Sequence, residues 1–231
     1  FELKKIIEKK MIDINAEAYC RTGNKRELIF PIFCSVGCPY ACTFCITPAV
    51  SKMIKGKKWV PFEIEQVLLH MEYLGEKYNV TRFQFYDDDS FVDLKRMRLL
   101  LETFLERGMN KRFGLEFRGV RINEMDRLDA SYLDLLVKVN TSRLMIGVES
   151  GSDRVLKNMK KAITVEQMLR VNQKLAKYPT LVPHYNFFCG TPGETYEDLV
   201  KTKEVILRLV DDNPYANLGF GFDWKPIPGS E

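Results

Sequence analysis

Six short apolar runs, each followed by a stretch of helical periodicity, constrain this chain more than any other feature. The runs lie at residues 28–33 (LIFPIF), 82–86 (RFQFY), 113–117 (FGLEF), 143–148 (RLMIGV), 182–189 (VPHYNFFC) and 218–222 (LGFGF). Between them apolar residues recur at helical spacing, at Ile64, Val67, Leu68, Met71, Leu74 and Tyr78, then at Leu94, Met97, Leu101 and Phe104. Further helices are expected over 128–139, 164–177 and 196–210. The last two are opened by Thr164 with Gln167 and by Thr195 with Asp198, pairs suited to capping a first turn. Such alternation specifies a parallel α/β unit with right-handed crossovers. Six units are too few to close an eight-stranded barrel, so the sheet is expected to stay open. Pro31 marks the first strand as an edge or a bulged strand. In a parallel barrel the strand C-termini form the active face, so the residues just past each run are the candidates for chemistry.

The first such place, residues 33–45, reads F-C-S-V-G-C-P-Y-A-C-T-F-C. Cys38, Cys42 and Cys45 stand at C-x3-C-x2-C, close enough for one short loop to wrap a single inorganic centre. Iron–sulfur cubanes are normally held by four Cys thiolates. Three leave one iron open, much as a catalytic zinc keeps a position for water or substrate. Cys34 extends the set to C-x3-C-x3-C-x2-C. A closed four-thiolate zinc or iron–sulfur site is therefore an alternative, and so are disulfides if the protein is secreted. The competing function is then a non-catalytic binding module. Cys34 itself ends an apolar run and reads as a buried core thiol.

The other strand ends carry polar clusters. Asp87, Asp88 and Asp89 follow the second run, and three adjacent carboxylates must each be solvated or paired. One account places them at the positive end of the helix that begins near Leu94. Arg118 and Arg121 follow the third run and suit a carboxylate or phosphate, or simple exposure. Glu149-Ser150-Gly151-Ser152 ends the fourth, with Ser152 expected as a helix N-cap and Glu149 as a solvated charge or an acceptor for a diol. The fifth runs through Cys189, expected in the core, into a G-T-P-G-E-T bend at 190–195. The stretch after the cysteines is expected to be a basic loop to about Pro61, with Trp59 either in the core or at a pocket.

Together these motifs resemble the radical S-adenosylmethionine (radical SAM) superfamily over about residues 28–230. The cysteine spacing matches its cluster loop. D-D-x-F (Asp88, Asp89, Phe91), G-V-E-S-G-S before V-L-x-x-M, and G-x-P-G-E-T match the subgroup of cobalamin-binding members and anaerobic porphyrin ring cyclases. The resemblance implies an open (β/α)6 partial barrel, a three-quarter TIM barrel, with a 4Fe-4S cluster on Cys38, Cys42 and Cys45. Its open iron would chelate the methionine moiety of S-adenosylmethionine, and reductive cleavage would give a 5′-deoxyadenosyl radical for C–H activation. It further implies Phe44 and Phe188 against the adenosine, Asp88 and Asp89 near the methionine ammonium, and Glu149, in the motif with Ser150, on the ribose hydroxyls. An electron donor such as flavodoxin or ferredoxin follows from the same likeness. Cobalamin is a further cofactor that a domain outside this chain would hold, since neither His70 nor His184 stands in the D-x-H-x-x-G context of that domain.

Composition sets the remaining bounds. With 35 Lys and Arg against 31 Asp and Glu, the net charge of +4 is too small to argue for nucleic acid, and the basic residues are dispersed. The expected partner is an unknown small-molecule substrate. No run of eighteen apolar residues suggests a membrane span, and no secretory signal is visible. Six cysteines without such a signal point to a reducing, cytoplasmic setting. The chain starts at Phe1 and stops after P-I-P-G-S-E, and reads as a linker over 1–27 and a catalytic core over 28–231 of a longer protein.

Overall fold

The structure is a computed structural model that describes residues 28–230. Apolar residues at helical spacing over 1–11, a turn signal at Gly23-Asn24 and the expected linker over 1–27 all fall outside the described residues. Eight strands are present among those described: β1 (Ile29–Ile32), β2 (Ser35–Gly37), β3 (Trp59–Pro61), β4 (Arg82–Phe85), β5 (Gly114–Val120), β6 (Thr141–Glu149), β7 (Val182–Cys189) and β8 (Asn217–Asp223). The helices are α1 (Thr47–Met53), α2 (Ile64–Tyr78), α3 (Leu94–Glu106), α4 (Ile122–Arg127), α5 (Ala130–Lys138), α6 (Asp153–Asn158), α7 (Val165–Leu175) and α8 (Tyr196–Asp212).

The six apolar runs become one wholly parallel sheet in the order β1-β4-β5-β6-β7-β8, so chain order and spatial order agree. The sheet stays open between β1 and β8, the expected partial barrel. Pro31 lies on the edge strand β1, where a missing N–H costs nothing on the free side. Ile32, Phe85, Phe117 and Leu144 share one cross-strand row, and all four are buried. Phe85 and Phe117 stack at 4.8 Å between ring centroids, and Phe91 leans on Phe117 at 4.9 Å. The helices bury their apolar stripes on that face: Val67, Leu68, Met71 and Leu74 of α2, then Met97, Leu100, Leu101 and Phe104 of α3. Each such side chain contributes about 1.5–3 kcal/mol by burial.

Four expectations need correction. The basic loop contains α1 and the antiparallel hairpin β2–β3, which sets Trp59 opposite Gly37. The helix expected over 128–139 begins at Ala130, where Asp129 accepts the Tyr132 N–H at 2.8 Å, and α4 precedes it. The acidic triplet does not cap α3: its N-cap is Asp93, which accepts the Arg96 N–H at 3.0 Å, four residues beyond Asp89. Cys189 is only half-buried, because it ends β7 at the open face with its Sγ 3.9 Å from Asp223 Oδ1.

Ser152 occupies the N-cap of α6, but its hydroxyl donates to Asp198 Oδ1 at 2.6 Å instead of to the helix. Asp198, 2% exposed, also accepts from Thr195 N at 2.9 Å, Thr195 Oγ1 at 2.8 Å and the Arg154 guanidinium. One carboxylate thus locks the starts of α6 and α8 together. The Arg154 hydrogen bond first, then those from Ser152 and Thr195, hold its carboxyl well below the usual carboxylate range. A depressed carboxyl adds stability above its unfolded pKa of about 3.9 and loses it as pH falls. Because Arg154 is half exposed, the buried hydroxyl and amide donors carry most of the effect. Asp198→Ala is expected to lower the unfolding free energy by about 2–3 kcal/mol in denaturant titrations at pH 7. The gap from wild type should narrow as pH falls below about 4.

Candidate active site

The polar clusters past the strands meet around a cavity of ≈ 250 Å³. Cys38, Cys42, Cys45 and Phe44 form one side, with Asp88 after β4, Arg118 and Arg121 on and after β5, Glu149 ending β6, and Lys161 after α6. The cysteine loop is pinned by short-range geometry and by distant partners. The Cys45 N–H bonds the Cys42 carbonyl at 3.2 Å, and the Thr43 N–H bonds the Met159 carbonyl at 3.0 Å. Thiols are met by donors: Thr47 N–H lies 3.4 Å from Cys45 Sγ, and Arg121 Nη1 lies 3.5 Å from Cys42 Sγ. Burial pushes the Cys38 thiol up to about 11, so a metal there must displace a tightly held proton.

The three aspartates separate into three roles. Asp87 Oδ1 accepts the Cys34 N–H at 3.0 Å and the Ser35 hydroxyl at 2.6 Å, and burial raises its carboxyl pKa. Asp88 alone of the three lines the cavity. Asp89 is fully buried and accepts the Phe91 N–H at 3.0 Å. Burial, with the Glu124 carboxylate nearby, pushes its carboxyl up to about 7. Gly119 makes this packing possible, since a Cβ there would lie 2.2 Å from the Asp87 carbonyl oxygen.

Glu149 ends β6 with φ +66°, a left-handed conformation that costs a non-glycine residue about 1–2 kcal/mol. The β6–β7 register slips between Gly147 and Glu149, turning the carboxylate into the cavity. There Lys161 Nζ donates to Glu149 Oε1 at 2.6 Å, with both residues buried. A Cβ on Gly147 would sit 2.5 Å from that oxygen. Lys161 went unnoticed in the sequence because a lysine in a turn before a helix cap carries no pattern of its own.

The remaining site candidates lie one layer back. Ser150 is fully buried and faces α8, with Oγ 3.3 Å from Thr202 Oγ1, so it does not line the cavity. Phe188 meets Phe44 edge-on at 5.2 Å and backs it, and Lys161 Nζ lies 5.5 Å from the Phe44 ring centre. Behind Phe44 a second hollow of ≈ 170 Å³ is lined by Thr43, Met159, Thr191, Pro192 and Trp224. Arg118 lies over the Tyr86 ring at 4.5 Å, and Tyr86 is 40% exposed.

The donor set suits a cluster. Among the described residues no three His, Cys, Asp or Glu side chains converge as a single ion requires. A cubane instead takes one thiolate per iron and needs thiols set around a space. Cys38, Cys42 and Cys45 meet that need. Cys34 is 1% exposed within the hydrophobic core, and burial holds its thiol far above the ordinary range. Cys34 thus stands apart from the three thiols that line the cavity.

A family model described as the radical SAM superfamily matches residues 32–206. The tRNA-2-methylthio-N(6)-dimethylallyladenosine synthase of Sulfurihydrogenibium sp. is 26% identical over 228 residues, 95% of this chain and 49% of its own length. The enzyme of that name from Photorhabdus laumondii is 31% identical over 203 residues, 84% of this chain and 40% of its own. This chain thus spans less than half the length of either relative. The radical S-adenosylmethionine methyltransferase TsrM from Kitasatospora setae, solved with cobalamin and a 4Fe-4S cluster, superposes with a TM-score of 0.70. The match covers 90% of this chain and 38% of that one at 20% identity, a likeness of fold.

Replacing Cys38, Cys42 or Cys45 with Ala is expected to abolish iron uptake during anaerobic reconstitution, while Cys34→Ala keeps it. Iron and sulfide analysis of the four variants checks this, and equal loss in Cys34→Ala would restore the closed four-cysteine site.

Proposed function

The chain belongs to the radical SAM superfamily, and from that premise we propose that its cavity holds a 4Fe-4S cluster on Cys38, Cys42 and Cys45 beside S-adenosylmethionine, which it cleaves to a 5′-deoxyadenosyl radical. One observation carries the reading. Among the described residues, a single cavity has three thiols and no fourth on one side, with Phe44 between them in the loop, and the Glu149–Lys161 pair on the other. When bound, the cluster supplies one electron to the sulfonium and an open iron for the methionine amino and carboxylate groups.

The chain's own residues bind and orient. The Glu149 carboxylate accepts hydrogen bonds from the ribose diol, each charge-assisted bond contributing about 1.5–3 kcal/mol. Lys161 offers its ammonium to the methionine carboxylate, and Asp88 faces the N–H groups of the methionine amine. Phe44, braced by Phe188, gives the adenine a flat wall. Behind the strands, buried Phe85, Phe117 and Ile146 pack in the core against the helices and close the far face of the sheet to water. Methyl transfer through cobalamin would belong to a domain outside this chain.

A second reading concerns the molecule that the radical attacks. The two relatives are named for a tRNA adenosine. At the cavity, Arg118 stacked on half-exposed Tyr86 presents a guanidinium plane and an aromatic ring, partners that unpaired bases take. This favours an RNA nucleotide over the unknown small-molecule substrate expected from the sequence.

Anaerobic incubation of the reconstituted chain with dithionite and S-adenosylmethionine, followed by chromatography, tests both. Wild type is expected to form 5′-deoxyadenosine. Glu149→Ala should reduce the rate at subsaturating cosubstrate by about ten- to a hundredfold. A cluster-loaded wild type that forms none contradicts the proposal. Faster turnover on adding bulk tRNA supports the second reading, and an unchanged rate returns the substrate to the small-molecule class.

A further inference from the structure

Arg121 stands where a charge is costly. It is 6% exposed, and each edge of its guanidinium is occupied. Nε donates to Asn123 Oδ1 at 3.2 Å, and Nη2 donates to the Lys161 carbonyl. The plane lies over the Tyr40 ring, 3.8 Å from its centre, and Tyr40 is fixed in turn by Glu124 and by Asn123 Nδ2 at 2.7 Å. The last edge, Nη1, points at Cys42 Sγ from 3.5 Å.

A buried arginine serving only as a strut would take a bidentate carboxylate, its strongest neutralising partner. Two carboxylates are at hand, and neither is used that way. Asp89 Oδ2 and Glu124 Oε2 each stop 4.0 Å from Nε, and neither oxygen has a hydrogen-bond partner among the described residues. They balance the charge from a distance and leave an N–H edge for sulfur. Cys45 also receives a donor, but an uncharged one, the Thr47 backbone N–H.

We propose that Arg121 is a positioning residue for the iron–sulfur centre: it donates a charge-assisted hydrogen bond to the Cys42 thiolate and raises the potential at which the centre accepts its electron. The proposal rests on Cys42 being a cluster ligand. Hydrogen bonds to ligand sulfurs and the local net charge are among the quantities that set cluster potentials. A donor with a fixed positive charge favours the reduced form, the more negative of the two. Outer-shell partners also fix the orientation of the ligands they touch. Because Nη2 holds the Lys161 carbonyl, the same side chain joins the thiol wall to the Glu149–Lys161 pair across the cavity.

The test is a redox titration monitored by electron paramagnetic resonance on the reconstituted chain, comparing wild type, Arg121→Lys and Arg121→Met. Arg121→Met is expected to shift the reduction equilibrium at least tenfold toward the oxidised form, ~59 mV more negative for one electron. Arg121→Lys, which keeps the charge and loses the planar donor, should fall between. A second measurement does not depend on variants that load a cluster: wild type carrying ¹⁵N-labelled arginine guanidinium should show a ¹⁵N hyperfine coupling to the reduced cluster. An unchanged potential in cluster-loaded Arg121→Met, or a loaded wild type without that coupling, overturns the proposal. A wild type that takes up no cluster at all instead contradicts the proposed function beneath it.

Discussion

Asp87 ties the cysteine loop to the sheet, and the geometry of the site follows from that tie. Its Oδ1 accepts from both Cys34 N and Ser35 Oγ, so the chain leaving edge strand β1 is held against the end of β4. Arg96 of α3 adds a donor to the Cys34 carbonyl at 3.1 Å, and the Phe62 N–H adds another at 2.9 Å. Cys34 is thereby kept in the core, and the three later cysteines swing over the open ends of the strands. The buried thiol works as an anchor, and the thiols beyond it form the site.

The rest of the site shows polar groups placed on a rigid apolar base. Phe85, Phe117 and Leu144 fix the strand ends from below, and the side chains above them carry charge. Several local choices there lower stability: the left-handed Glu149, the buried Arg121, and Asp89 with its carboxyl pushed up to about 7. Arg121 is held by several partners at once, Glu149 by Lys161 and Asp89 by the Phe91 N–H, and such local costs persist where the surrounding fold fixes them. Such concentrations of strain and perturbed acidity accompany functional sites.

Much of this was legible in the sequence, for identifiable reasons. Short apolar runs and period-3.6 patterns report burial directly, so all six sheet strands and the long helices stood out, as did the capping pairs at Thr164 and Thr195. The cysteine spacing showed the loop because ligands close in sequence need no folding to meet. What escaped depends on contacts between distant residues. The hairpin β2–β3 has strands of only three residues. Lys161 acquires meaning only when the chain folds it back onto Glu149, twelve positions earlier. The acidic triplet could be read as charges at the start of a helix because the tie from Asp87 to Cys34 and Ser35 spans more than fifty residues. Ser150 and Ser152 sit in a motif, yet their hydroxyls serve α8.

Whether three thiols around a cavity leave one iron open is tested most directly by electron paramagnetic resonance of the reduced, reconstituted chain with and without S-adenosylmethionine. The expected result is a cluster signal whose line shape changes when the cosubstrate is added, in wild type and in Cys34→Ala alike. An unaltered signal, under conditions where calorimetry shows the cosubstrate bound, would mean that the iron is closed to it and would contradict the reading of this cavity as the place where the radical forms.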